Sequence, residues 1–243
     1  MVILAYNLAM KSTIQDKAKL VNSVFSKVYN KYDLMNDIIS LGIHRAWKDK
    51  FIDWMNPSQN SSLIDVASGT GDIAKLFSLR NKNLPKITCV EPNDDMFNKG
   101  KSNLISFKNI KWIKSSAEAL PAEDNTYDFY SISYGIRNVS DINKTLKEAY
   151  RVLKPGGRFM CLEFSKIDNE LLNFIYKNYS KAIPAVGKYI VGSSKPYEYL
   201  INSIDAFYNQ EQLLELIIKN GFTDVEYRNL SNGISAIHSG WKI

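Results

Sequence analysis

With 243 residues, 45% of them hydrophobic and 23% charged, the chain has the size and composition of one soluble α/β domain, which argues against disorder and against a membrane-embedded protein. Its net charge of +6 is scattered as single lysines among acids, so a weak preference for anionic surfaces follows and nucleic-acid binding does not. Two cysteines inside apolar strand-like runs, Cys89 and Cys161, and two histidines far apart, His44 and His238, are poor material for a disulfide framework or a metal centre.

In chain order, the N-terminal MVILAYNLAM is apolar but only ten residues long and has no basic residue before it, a poor secretory signal. No apolar run reaches the roughly 20 residues of a membrane helix, and the expectation is a cytoplasmic protein. Residues 10–55 look helical. From about residue 63, short β-rich runs alternate with helical patterns, the signature of βαβ units and a parallel sheet. LIDVA, KITCVE, IKWIKSS, YDFYSISYG and RFMCLEFS are the first five strands. Between the fourth and fifth, Ser140 or Asp141 caps a helix whose Ile142, Leu146, Ala149, Tyr150 and Leu153 recur at helical spacing, and KPGG at 154–157 is expected to stop it. Residues 167–207 form an insertion without strand character. DVEYRNL and ISAIHSGWK then flank Ser231, Asn232 and Gly233, a turn signal that makes them an antiparallel hairpin. The expectation is a single domain over 1–243, with 10–55 and 167–207 as lids over the carboxyl ends of the strands, where an open α/β sheet keeps its ligand.

The turn after the first strand carries the chemistry. Gly69, Thr70 and Gly71 open a helix, and Ala74 completes G-x-G-x-x-A, which by pattern alone also fits a dinucleotide site. A pyrophosphate wants the positive end of the helix left free. Here Asp72 follows Gly71 and Asp65 stands near the strand end, two carboxylates that repel a diphosphate and attract a cation. S-adenosylmethionine, with a sulfonium and an α-ammonium, suits this turn better. Asp72 also fits a simpler role at the helix N-terminus. Glu91, twenty residues after Gly71, ends the second strand where a carboxylate accepts from ribose hydroxyls. Ser116, Ala117 and Glu118 follow the third strand, where a backbone amide and a short side chain reach an adenine edge, with solvated loop residues as the plainer reading.

VFSKVYNKYDLMNDIISLGIHRAWK, LIDVASGTGDIA, SAEALPAEDNTYD, SISYGIRNVSD, YRVLKPGGRFMCLEFSK and GFTDVEYRNLSNGISAIHSGWK together resemble the ubiquinone/menaquinone biosynthesis C-methyltransferases, in order from Val24 to Lys242. The GTGD and KPGG elements are common to many methyltransferases, whereas KYDLMND, GIHRAWK and GIRNVSD are far more specific to this family. The resemblance implies a class I methyltransferase fold, Rossmann-like: a seven-stranded, mostly parallel sheet with an antiparallel last strand and helices on both faces. It implies S-adenosyl-L-methionine as donor and a prenylated benzoquinol or naphthoquinol as acceptor. Carried over by position, the cofactor contacts are Thr70, Glu91, Ser116, Ala117 and Ser133. The sequence departs from the family at Asp205 and Tyr208, where relatives tend to have Arg and Pro, and at HSGWK in place of HRGYK.

A ring carbon beside a phenolic hydroxyl becomes nucleophilic when the hydroxyl loses its proton. Arg137, following the fourth strand, is the expected electrostatic group for the forming phenolate, with Asn138 and Tyr134 orienting the ring; the structural reading ties Arg137 to a carboxylate such as Asp141. His44 is a second candidate base, ranked below a structural role. Tyr32, Asp33 and Asn36 are expected to help close the N-terminal lid. The segment from Leu171 to Ile190, rich in aromatic and aliphatic residues with Lys177, Lys181 and Lys188 among them, suits an isoprenoid tail or peripheral contact with a bilayer, and equally a helix packed on the sheet. A homodimer or a quinone-biosynthesis complex is compatible with the sequence. The alternatives are a methyltransferase acting on another small aromatic or lipid acceptor, a nicotinamide-dependent oxidoreductase, which lacks a convincing hydride site here, and a non-enzymatic scaffold.

Overall fold

The computed structural model describes residues 42–81, 83–167 and 194–243, together with residues 19, 21–24, 26, 37, 40, 169, 170, 174, 176, 178, 179 and 184. MVILAYNLAM, Tyr32, Asp33, Asn36, Lys177, Lys181, Lys188 and much of 171–190 lie outside the described residues.

Strand β1 (Leu63–Val66) is buried at every position, as a central strand covered on both faces must be. It pairs in parallel with β2 (Ile87–Val90) and β4 (Tyr127–Ser133). Outward from these, β3 (Ile110–Ile113) joins β2 and β5 (Leu153–Phe164) joins β4, again in parallel. β6 (Thr223–Leu230) and β7 (Ser235–Trp241) form the expected hairpin through Asn232 (φ 56°) and Gly233 (φ 92°), left-handed positions that suit Asn and Gly. The last strand inserts between its neighbours, so the sheet order is β3-β2-β1-β4-β5-β7-β6 with β7 antiparallel to both. This is the seven-stranded, mostly parallel sheet that the sequence implies.

Helices cover both faces. On one, α1 (His44–Met55) packs Trp47, Phe51, Ile52 and Met55 with Phe77 of α2 (Asp72–Arg80) onto Met160 and Leu162. On the other, α4 (Ile142–Val152) sets Leu146, Ala149 and Val152, and α6 (Gln210–Lys219) sets Leu213 and Ile217, against Tyr130, Phe159 and Cys161. Helix α3 (Asp94–Asn103) links β2 to β3, and α5 (Lys195–Ala206) precedes α6. Both cysteines are buried and free.

Asp141 caps α4 by accepting from the Lys144 amide. The helix ends at Val152, just before KPGG as expected, and the strand bound is what is corrected: β5 begins at Leu153 rather than Arg158, so KPGG lies within the strand beside a register shift opposite Tyr127 and Phe129. Gly156 (φ 77°) and Gly157 exchange backbone hydrogen bonds with Lys242, which leaves Pro155 at an irregular position that tolerates the missing donor.

Candidate active site

The strand order reverses between β1 and β4, and the carboxyl ends of these strands splay into a crevice. After Val66 the chain turns through three left-handed residues, Ala67 (φ 52°), Gly69 (φ 56°) and Gly71 (φ 89°), into α2. The two glycines do different work. A Cβ on Gly69 would meet nothing within 4 Å, whereas one on Gly71 would sit 2.6 Å from Leu104 Cδ1 and 3.1 Å from Trp112. Gly69 therefore leaves open space before a ligand, and Gly71 lets α2 close onto the α3–β3 side.

A cavity of about 410 Å³ lies at these strand ends, lined by Gly69, Glu91, Ser116, Ala117, Ser133, Tyr134 and Asn138, with Val21 and Asn22 from the N-terminal segment. A chamber of about 30 Å³ shares Ala67, Gly69, Ser133 and Tyr134 with it and adds Lys48, Asp65, Thr70 and Asp72. Of the residues expected from sequence, Gly71 and Arg137 line neither space.

Asp65 is buried at the inner end. Its Oδ1 accepts from Ser131 Oγ at 2.6 Å, while Oδ2 and the nearby buried Ser133 Oγ have no hydrogen-bond partner among the described residues. Burial pushes the Asp65 carboxyl up to about 7, with the Asp72 charge adding to the effect. Burial also raises Glu91 to about 7, against the pull of two backbone donors: Asn93 N–H on Oε1 and Gly69 N–H on Oε2, each at 2.9 Å. A carboxylate has about four lone-pair sites, so Glu91 keeps accepting capacity while bracing the glycine turn. Asp72 differs from the expectation of a bare anion. Lys48 Nζ stands 2.5 Å from its Oδ2 and cancels its charge; burial works to raise its pKa, and Lys48 holds it below the usual range. Glu118, placed near an adenine edge by sequence, has Oε1 accepting from the Ser140 and Asp141 amides and so secures the start of α4.

Arg137 is buried behind the cavity wall. Its Nη1 pairs with Glu163 Oε1 and donates to Tyr134 O at 2.9 Å, and its guanidinium lies over the Phe164 ring at 5.5 Å. The carboxylate that holds it is thus Glu163 rather than Asp141. Its Nε is buried without a hydrogen-bond partner among the described residues. Tyr134, at φ 56°, packs on Phe164 with centroids 4.9 Å apart. Asn138 accepts from Tyr199 OH at 2.9 Å, which ties α5 to the site. His44 Nε2 meets Asp37 Oδ1 at 2.8 Å, and burial lowers its pKa, a structural arrangement away from both spaces. Among the described residues, no cluster of His, Cys, Asp or Glu is placed to hold a metal ion, and no helix is long and apolar enough to cross a membrane.

Residues 11–242 match the ubiE/COQ5 methyltransferase family. The chain belongs to that family. It is 49% identical over 240 residues to the ubiquinone/menaquinone biosynthesis C-methyltransferase UbiE of Rickettsia bellii, covering 96% of each chain. Against the UbiE of Brucella abortus it is 45% identical over 94% of this chain and 87% of the relative. Among solved structures, a methyltransferase of Thermotoga maritima described as a possible histamine N-methyltransferase superposes with a TM-score of 0.63 at 21% identity, over 92% of this chain and 100% of that one, a likeness of fold.

In this ubiE/COQ5 family member, the positions read from the sequence as departures, Asp205, Tyr208, Ser239 and Trp241, line neither the cavity nor the inner chamber. Asp205 is exposed on α5, with its carbonyl accepting from Lys166 Nζ, and Tyr208 is exposed after it. Sequence reasoning missed three residues. Lys48 sits in GIHRAWK, where attention fell on His44. Asn93 caps α3 through Oδ1 and donates from Nδ2 to Asn22 and Ser26, fastening the N-terminal segment over the cavity. Glu163 ends an apolar strand and carries no local sequence signal.

Proposed function

We propose that this chain is an S-adenosylmethionine-dependent C-methyltransferase that methylates the ring of a prenylated benzoquinol or naphthoquinol in ubiquinone or menaquinone biosynthesis. Near-full-length identity of about one half to proteins named for that step supports the reaction class. The observation that carries the cofactor assignment is the inner chamber, where Asp65 Oδ2 and Ser133 Oγ are buried and have no hydrogen-bond partner among the described residues, a fit for a cationic amino-acid head.

Bound there, S-adenosylmethionine supplies an electrophilic methyl group on a sulfonium. Asp65, Thr70 and Ser133 hold its amino-acid end, Glu91 accepts from the ribose hydroxyls, and Ser116 and Ala117 line the adenine side. Gly69 gives the backbone close approach. Placing two carbons in near-attack geometry can supply up to about 7 to 11 kcal/mol of a barrier. The acceptor is the reduced quinol, because the quinone ring is itself electrophilic. Tyr134 and Asn138 face the cavity and orient the ring, and Arg137 stands behind them, holding the Tyr134 carbonyl. Its charge is largely matched by Glu163, so its contribution is to fix that wall and bias the field on the phenolic oxygen from behind it rather than to touch the phenolate. The same reading gives the segment 171–190 either the isoprenoid tail or peripheral contact with a bilayer; failure of intact protein to float with anionic liposomes would remove the second.

The deciding experiment is mass spectrometry of quinones in a deletion strain, combined with methyl transfer to a soluble quinol analogue by the purified protein. Accumulation of the ring-demethylated quinone, and a 14-Da gain on the analogue's ring carbon, are expected, the difference between CH₃ and H. Unchanged quinones and an unmodified analogue would overturn the assignment.

A further inference from the structure

Lys48 is an unusual residue for its position. The buried face of α1 is otherwise His44, Trp47, Phe51, Ile52 and Met55, and the Lys48 side chain, 9% exposed, reaches from that face into the inner chamber. A buried ammonium is costly and persists where it is paired. Its partner Asp72 occupies the first turn of α2, where the helix dipole already favours an anion, so Asp72 does not need Lys48 for its own sake. Two carboxyls, Asp65 and Asp72, and one cation, Lys48, line a chamber of about 30 Å³.

We propose that Lys48 and Asp72 read the zwitterionic amino-acid end of the methyl donor: Lys48 transfers from Asp72 to the donor's α-carboxylate, and Asp72 and Asp65 receive its α-ammonium. This rests on the cofactor reading above and names the residues that set its specificity. The charge balance is the reason. A zwitterion brings one positive and one negative group: its ammonium meets Asp65 Oδ2, which has no partner among the described residues, with Asp72 beside it, and its carboxylate gives Lys48 an anion in place of Asp72. A donor lacking the carboxylate brings its amine to the same acids but offers Lys48 nothing, so it forfeits that contact. The chamber therefore selects for an intact amino-acid tail, beyond the attraction of any anion for a sulfonium.

The test is calorimetric binding of S-adenosylhomocysteine, its decarboxylated analogue S-adenosyl-3-thiopropylamine, and 5′-methylthioadenosine, which lacks the whole tail. The unmodified protein is expected to favour S-adenosylhomocysteine over the decarboxylated compound by at least about tenfold, the worth of one charge-assisted hydrogen bond. Lys48→Met is expected to erase that ratio while leaving 5′-methylthioadenosine binding within about twofold. Because Lys48→Met strands Asp72, the same ratio is read in Lys48→Met/Asp72→Asn, which carries no orphan charge, and the variant that binds 5′-methylthioadenosine as the parent does is decisive. A parent protein that binds the two tailed compounds equally overturns the proposal, as does a decisive variant that keeps the parent's ratio. A parent that binds none of the three compounds overturns the cofactor reading instead.

Discussion

Removing the negative partner of the Arg137–Glu163 pair is expected to be among the most destabilising single changes in this protein. The two side chains are 5% and 2% exposed, and Glu163 also accepts from the Arg137 and Phe164 amides. Glu163→Gln preserves volume and leaves the guanidinium against a neutral amide, with Tyr134 O and the Phe164 ring as its other partners. Stranding one member of a buried ion pair costs about 3–5 kcal/mol, a large part of the roughly 5–15 kcal/mol by which domains are stable. At about 2–4 °C per kcal/mol for a chain of this size, the melting midpoint falls by roughly 6–20 °C. Arg137→Met/Glu163→Leu removes both charges and is expected to recover most of that loss, since well-packed apolar replacements of buried pairs are often neutral or better. The assay is thermal unfolding of both variants beside S-adenosylhomocysteine affinity and methyl transfer. Neither residue lines the cavity, so affinity is expected to hold in the double variant while turnover collapses. A Glu163→Gln midpoint within 2 °C of the parent would refute the buried pair, and normal turnover in the double variant would remove Arg137 from the chemistry.

Asp65, with a folded pKa of about 7 against 3.8 in the unfolded chain, keeps a proton on folding across that interval. It therefore stabilises the fold at acid pH and loses that contribution as pH rises towards 7, at up to about 1.4 kcal/mol per pH unit. His238, lowered to about 4 by burial, works in the opposite sense over 4 to 6.5, so the informative quantity is the difference between parent and Asp65→Asn. That variant is expected to gain about 2–3 kcal/mol on the parent between pH 5 and 7 in urea unfolding, and parallel profiles would count against the buried acid. Gly100→Ala places a Cβ against Trp112 and 2.9 Å from Gly69 O, so it is expected to cost about 1–3 kcal/mol and to weaken S-adenosylhomocysteine binding; unchanged affinity would show that the shift stops short of the glycine turn. Asn93→Asp keeps the α3 cap but turns the donor facing Asn22 Oδ1 (2.5 Å) and Ser26 Oγ (3.1 Å) into an acceptor. Faster amide exchange over residues 21–26 with α3 still protected is the expected result, and equal exchange would dismiss the latch.

The sheet was legible because burial on both faces leaves a run such as LIDV or ITCV no other place, and because Asn232 and Gly233 supply the left-handed residues that a reversal requires. Much of the lining of the cavity was legible for a topological reason: residues at the carboxyl end of a parallel strand face the crevice, which put Gly69, Glu91 and Ser116 there in advance, while Ser133 came from the family resemblance alone. KPGG marked the end of the helix but hid the early start of β5, because Pro and Gly signal chain breaks by local propensity, while pairing of Leu153 with β4 and of the glycines with Lys242 decides what the backbone does there. The ion pairs were illegible. Lys48 and Asp72 are 24 residues apart and Arg137 and Glu163 are 26, and which charges meet depends on helix packing and strand register, with no mark in either local sequence.

That blind spot changes why the glycine turn rejects a diphosphate. Counting signs near the turn credits Asp72, yet Lys48 cancels Asp72, and a lysine in the chamber would by itself welcome a phosphate. The decisive group is Glu91. A dinucleotide site of this type depends on free backbone N–H groups at the turn and the helix N-terminus. Here the Gly69 N–H is already donated to Glu91 Oε2 at 2.9 Å, so an incoming diphosphate meets a carboxyl oxygen where it needs a donor. Glu91 also faces the cavity with accepting capacity to spare, which suits ribose hydroxyls and penalises anions. The preference for a cationic adenosyl donor therefore rests on a hydrogen bond between the second strand and the first turn. Glu91→Gln leaves one oxygen to accept the Gly69 N–H and sets an NH₂ group against the Asn93 N–H, so it is expected to loosen that turn and weaken S-adenosylhomocysteine binding without creating affinity for NADH; new NADH binding in that variant would show that charge alone had excluded it.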